Sequence, residues 1–363
     1  MPGENKPASL NVDKTWGKWP LIISGPCSAE TETQLIDTAV QLMNTGKVDV
    51  LRAGLWKPRT RPGNFEGVGA IGLPWLQEAR RMTGLPVMVE VAKAAQVEAA
   101  LKHDVDIFWI GARTTVNPFS IQELADALKG IDIPVFIKNP INPELELWIG
   151  AVERIAAAGI EKIALIHRGF SSYGNKKFRN APMWHLAIEM KRLFSNLPFI
   201  IDPSHICGNR TMLREVTQHA IDLHYEGVMI ESHIDPDNAW SDAAQQITPN
   251  ALVALLHKII WRTETITSEA LHEKLNQFRN EINKLDDKVL ELLAERMRIA
   301  EEIGKYKKDH DITILQTNRW NEILERLSQQ CSMLGLSENF IKQYFEVIHL
   351  ESIKHQDMVM NKK

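Results

Sequence analysis

Six cations stand at or just beyond the ends of apolar, β-rich runs: Arg52, Lys57, Arg59, Arg113, Lys138 and Arg168. Gathered at one place they would repel one another by roughly 1 kcal/mol or more per close pair, even when partly solvated. They therefore require anions, and several at once, and phosphate and carboxylate groups suit them best. A second set stands at other run ends. Cys27, His205 and Glu231 are joined by Asp242, eleven residues beyond Glu231. One thiolate, one imidazole and two carboxylates suit a borderline divalent ion such as Mn²⁺, Fe²⁺, Co²⁺ or Zn²⁺. Cys207, two residues from His205, competes for the thiolate role. Cys27 is preferred because it closes a strand, whereas Cys207 lies in a loop opening toward Gly208. A lone cysteine is more often a small buried hydrophobe, and a lone arginine usually finds a carboxylate on the rim. The reading rests on the cluster.

The elements that must position these residues are legible as eight short runs: 21–26, 49–54, 86–91, 107–112, 134–139, 163–168, 198–203 and 227–232. Most are continuously apolar, as parallel strands covered on both faces are. Helix-like stretches separate them, among them 30–45, 93–102, 143–158, 183–195 and 210–224. Strand and helix alternating eight times predict a (β/α)8 TIM barrel, with chemistry at the strand ends. An open doubly wound sheet fits less well, because eight strands close naturally and no GxGxxG follows a strand.

The alternation ends near Arg262. A polar link, 263–268, follows, and the apolar period then changes. Leu271, Leu275, Phe278, Ile282, Leu285, Val289, Leu292, Ile299, Ile303 and Tyr306 follow a 4-3-4-3 spacing whose one polar position is Arg296. This predicts a helix of about 40 residues, roughly 60 Å long. Two shorter helices are expected at about 318–333 and 337–358, divided by Gly335. Such a helix cannot bury its own seam, and a second copy of the chain is the simplest cover, so a homodimer is expected. Arg296 on the seam either sets register or opens an anion pocket. Lys307, eleven residues on, returns to within about 20° of the same face. Arg279 lies roughly 25 Å back along the axis, too far to meet the same small ligand except from a second protomer. The expected domains are 1–262, a linker 263–268, and an all-α domain 269–363.

Composition limits the classes of partner. A net charge of −4 gives no field for nucleic acid or an anionic membrane. Three scattered cysteines argue against a disulfide framework, and no run approaches the ~18 apolar residues of a membrane span. The N-terminus shows no signal-like apolar stretch. A cytoplasmic protein is expected.

The motifs GPCS, R-x-x-x-x-KPRT, IGAR, IK, IHRG and DPSH, then a strand ending E-S-H with a later SD, resemble the 3-deoxy-D-arabino-heptulosonate 7-phosphate (DAHP) synthases of the compact variety. The resemblance covers about residues 18–262. It implies metal-assisted condensation of phosphoenolpyruvate with erythrose 4-phosphate, releasing phosphate. It places the metal on Cys27, His205, Glu231 and Asp242, and phosphoenolpyruvate on Arg52, Lys57, Arg113, Lys138 and Arg168. Erythrose 4-phosphate falls to Pro58, Arg59 and Thr60. Glu90 and Lys138 are the candidates for handling the water that adds at C2. A sister family making an octulosonate typically reads KAN where this chain reads Lys57-Pro58-Arg59, which favours the four-carbon acceptor.

Residues 270–358 resemble the all-helical chorismate mutases, whose dimers exchange long first helices. The matched residues are Arg279 (from the partner), Arg296, Lys307, Arg319, Ser352 and Gln356. The resemblance implies a cofactor-free rearrangement of chorismate to prephenate, with Lys307 and Gln356 on the ether oxygen. Two positions depart from the pattern: Gln316 stands where the family has Asp, and Trp320 where it has the Glu that binds the substrate hydroxyl, so either turnover is weaker or the hydroxyl falls to Gln316 or to backbone. The expected function is therefore bifunctional, with prephenate as a feedback ligand. The competing reading makes the helical domain a ligand-sensing and dimerisation module without turnover.

Overall fold

The structure, a computed structural model, describes residues 20–58, 63, 65–174, 177–262 and 268–361. Chain contacts divide it into two compact units that meet in sequence between Glu264 and Thr265. Most of the expected linker, like Arg59 and Thr60, lies outside the described residues.

The first unit is a closed barrel of eight parallel strands in sequence order. They are β1 (Leu21–Gly25), β2 (Val50–Ala53), β3 (Val87–Val91), β4 (Ile107–Ile110), β5 (Val135–Lys138), β6 (Ile163–His167), β7 (Phe199–Ile201) and β8 (Gly227–Glu231). Strand β8 closes on β1, with Gly25 beside Glu231. Gly25 sits at φ +148°, and a Cβ there would lie 2.0 Å from the Arg52 carbonyl oxygen, so only glycine fits. Between and after the strands run α1 (Glu32–Asn44), α2 (Gly72–Thr83), α3 (Ala94–Leu101), α4 (Ala112–Thr115) and α5 (Pro118–Leu128). They are followed by α6 (Leu145–Ala157), α7 (Trp184–Leu193), α8 (Pro203–Cys207), α9 (Leu213–Asp222) and α10 (Pro249–Leu256).

Side chains alternate across each strand, and this alternation builds the site. Val50, Met88, Trp109, Phe136, Ile166, Ile200 and Met229 fill the barrel interior. Two residues further along the same inward face stand Arg52, Glu90, Lys138, Arg168, Asp202 and Glu231. The floor is apolar and the rim at the C-terminal strand ends is charged, as in barrel enzymes generally. The outward strand residues, among them Leu51, Val89, Ile137 and Leu165, join the helices in a separate core.

The second unit holds α11 (Glu269–Asp309), α12 (Thr317–Cys331) and α13 (Glu338–Asn361). Helix α11 runs 41 residues, with an acid in its first turn and Lys307 and Lys308 in its last, matching the helix dipole. Gly335, at φ +69°, lies in the turn between α12 and α13. Helix α11 packs on α13 through Ala300, Gly304 and Lys307, opposite Ile348, Ser352 and Gln356. The approach is close: a Cβ on Gly304 would lie 3.0 Å from the Gln356 Cα. The ten apolar seam residues from Leu271 to Tyr306 are instead 41–64% exposed.

Candidate active sites

Three side chains converge at the barrel mouth. Donor atoms of Cys27, Glu231 and Asp242 all lie within 4.8 Å of one another. The Cys27 thiol donates to Asp242 Oδ2 at 3.2 Å, and Lys57 Nζ donates to Cys27 Sγ at 3.1 Å. His205 adds its Nε2, 3.7 Å from Glu231 Oε1. Its Nδ1 sits 2.8 Å from Asp202 Oδ2, which orients the ring and leaves Nε2 for the cluster. Burial lowers the His205 pKa, with Asp202 opposing, so the ring is neutral and offers a lone pair. Burial also pushes the Cys27 thiol up to about 12, with Glu231 adding to the shift. Glu231 Oε1 is buried without a hydrogen-bond partner among the described residues. A buried, unsatisfied carboxylate oxygen beside a thiol and an available imidazole nitrogen fits a divalent ion.

Two of the six cations pair with carboxylates of the barrel itself. Arg52 Nη2 lies 3.3 Å from Glu231 Oε1, and Lys138 Nζ lies 2.8 Å from Asp202 Oδ2. Both cations are buried, and a buried charge needs a counter-charge. Even so, Arg52 keeps Nε and Nη1 buried and without a partner among the described residues. Its guanidinium carbon lies 4.8 Å from the Trp109 ring centroid. Arg168 donates to Asn180 Oδ1 at 2.8 Å, and burial pulls its pKa down to about 10, with Arg179 and Arg113 lowering it further. Arg113 is exposed on α4, close enough for its charge to act on Arg168. Lys57 is half-buried and Pro58 exposed. Glu90 accepts from Trp109 Nε1 at 3.1 Å, and a Cβ on Gly111 would lie 2.0 Å from its Oε1.

In the helical unit, Arg296 Nη1 donates to Ser352 Oγ, which in turn donates to the Ile348 carbonyl at 2.7 Å. Lys307 Nζ is buried and donates to the Ile314 carbonyl at 2.6 Å. Burial lowers the pKa of both cations. Gln356 Oε1 is buried without a partner among the described residues. Arg296, Lys307, Ser352 and Gln356 therefore share the α11–α13 face. Arg319 does not join them; it is exposed and pairs with Glu322 at 2.8 Å. Arg279 is exposed too, donating to Asn276 at 3.2 Å.

Residues 7–269 match the family described as the DAHP synthetase I family, and residues 278–357 match chorismate mutase type II. The chain belongs to the DAHP synthetase I family. A chorismate mutase type II domain follows. The chain is 35% identical over 226 residues to phospho-2-dehydro-3-deoxyheptonate aldolase of Thermotoga maritima, covering 62% of this chain and 64% of that protein. A crystal structure of that DAHP synthase superposes with a TM-score of 0.59 at 32% identity, covering 66% of this chain and 67% of the other. Octulosonate-type aldolases are more distant. The 2-dehydro-3-deoxyphosphooctonate aldolase of Nitratidesulfovibrio vulgaris is 26% identical, covering 68% of this chain and 93% of its own length.

Several residues of this DAHP synthetase family member escape a sequence reading. Arg179 reaches Asp242 Oδ1 at 3.0 Å and Gln245 Oε1 at 2.7 Å, while Gln245 Nε2 donates to Glu231 Oε2 at 2.7 Å. Gln246 accepts from the Cys27 backbone N–H at 2.9 Å. These residues hold the cluster, but their partners lie 14 to 219 positions away in sequence. Asp202 was visible in DPSH, though without a role. Burial alone would raise its pKa; His205, Lys138 and Arg52 hold it well below the usual carboxylate range. Cys207 is buried in the core shared by strands and helices, apart from the cluster.

Proposed function

We propose that the barrel condenses phosphoenolpyruvate with erythrose 4-phosphate to DAHP and phosphate. The observation that carries this reading is Arg52, whose two buried donors have no partner among the described residues and sit beside the Cys27–Glu231–Asp242 cluster. Donors left unsatisfied in a buried site are costly unless a ligand completes them, and a carboxylate or phosphate would do so. Lys57, Arg113, Lys138 and Arg168 would share the anions of phosphoenolpyruvate. Pro58, with Arg59 and Thr60, would meet erythrose 4-phosphate. A divalent ion on Cys27, His205, Glu231 and Asp242, when bound, would act as a Lewis acid on the aldehyde. Protein groups would do the rest by positioning and charge compensation. Asp202 would orient His205 through Nδ1 while neutralising Lys138. Glu90, held by Trp109, and Lys138 are the groups that can exchange a proton with water at C2. Replacing Arg52 by Lys should raise the KM for phosphoenolpyruvate more than tenfold, since one ammonium cannot reproduce a two-pronged contact; an unchanged KM removes Arg52 from the site.

The helical unit is proposed to convert chorismate to prephenate. Arg296 and Lys307, both desolvated beside Ser352 and Gln356, support a pocket for a dicarboxylate. The exposed seam of α11 supports a homodimer, in which Arg279 of a second copy could complete the pocket. Purified protein should consume chorismate in a prephenate-forming assay, and Arg296→Ala should abolish that turnover. A sensing module without turnover is favoured if the wild-type chain binds chorismate and converts none.

A further inference from the structure

Chorismate, the substrate proposed above, presents four polar groups: two carboxylates, an ether oxygen and one ring hydroxyl. The cations take the carboxylates, and Lys307 and Gln356 take the ether oxygen. The hydroxyl is left over, and Trp320 stands at the position that would supply its carboxylate in related mutases. An indole has no acceptor atom to offer in exchange. The structure holds a different candidate. His349 lies on α13 three residues before Ser352 and seven before Gln356, a spacing that puts all three on one helical face. Its ring stacks on the Trp320 indole, centroids 4.3 Å apart and planes 16° apart. Its Nε2 is buried and has no hydrogen-bond partner among the described residues.

We infer that His349 binds the substrate hydroxyl through Nε2, with Trp320 holding the imidazole plane in place. A buried imidazole nitrogen without a partner costs stability unless a ligand supplies one. Burial lowers the His349 pKa and the charges of Arg296 and Lys307 lower it further, so the ring stays neutral at neutral pH. A neutral ring also spares the cations a third positive neighbour. In the tautomer that carries its proton on Nδ1, the bare Nε2 accepts a hydrogen bond from the hydroxyl, as a carboxylate would. The exchange of Glu for Trp at 320 thus moves the hydroxyl contact from α12 to α13.

The inference rests on the mutase reading, and one set of measurements on the full-length chain separates the two. Mutase kcat/KM is measured for chorismate and for its 4-O-methyl ether, which cannot donate a proton at that position. Wild type should favour chorismate. His349→Leu should lose about tenfold of that preference, whereas His349→Gln, which keeps a polar atom near the Nε2 position, should retain it. A merely structural role for His349 would lower both rates together and leave their ratio unchanged. Wild-type preference in His349→Leu, or equal loss in both variants, overturns the assignment. Full turnover in Arg296→Ala overturns instead the pocket on which it depends.

Discussion

At the scale of single residues, the barrel mouth is defined by what is left unsatisfied as much as by what is bonded. Glu231 Oε1 and two Arg52 nitrogens are buried without hydrogen-bond partners among the described residues, although the two side chains form an ion pair. Such groups persist where a ligand completes them. The thiol proton of Cys27 has a consequence for pH. Its pKa stands near 12 without metal, so an ion that binds the thiolate must displace that proton. Metal affinity should therefore rise about tenfold per pH unit across pH 6–8 from this group alone. Proton release on metal addition, read by calorimetry in buffers of different ionisation heat, checks it. Cys27→Ser should lose the metal, while Cys207→Ser, in the core, should keep it; the reverse pattern would move the thiolate ligand to Cys207. Asp202→Asn should weaken metal binding about 10–100-fold through His205, as lost outer partners do. Gly111→Ala should displace Glu90, destabilising the fold by about 1–3 kcal/mol, as overpacking does; thermal denaturation together with condensation rate would show it.

At the scale of elements, periodicity explains what sequence could and could not disclose. Parallel strands buried on both faces produce continuous apolar runs, so all eight strands and their order were legible. The period of two then assigns Arg52, Glu90, Lys138 and Glu231 to one inward rim. His167, one residue before Arg168, takes the opposite face. It packs against Tyr225 and Trp184, with Nδ1 2.9 Å from the Tyr225 hydroxyl. Arg179 and Gln246 lie in loops and Gln245 ends a single 3-10 turn, none long enough to show a period, and their partners are brought to them only when the barrel closes. The long helix was legible for another reason: ten of the eleven positions of its 4-3-4-3 seam are apolar. The same seam predicts assembly. Leu285→Glu together with Val289→Glu should convert a dimer to monomer by sedimentation and lower mutase turnover. Retention of the dimer would place the interface elsewhere.

At the scale of the whole molecule, a DAHP synthetase barrel and a chorismate mutase domain occupy one chain, joined through a short stretch around residue 265. One domain would begin the chemistry that leads to aromatic rings, and the other would act on a later intermediate. Prephenate, the product of the second, is the proposed feedback ligand for the first. Adding it should lower the condensation rate of the full chain, and the effect should vanish in Arg296→Ala; a rate indifferent to prephenate would end that proposal. The central claim concerns the barrel mouth itself, and one experiment addresses it most directly. Phosphoenolpyruvate consumption is followed in purified protein given erythrose 4-phosphate, before and after a metal chelator. Consumption with stoichiometric phosphate release, abolished by the chelator and restored by Mn²⁺, is the predicted result. Consumption undiminished by the chelator, or none with erythrose 4-phosphate, would contradict it.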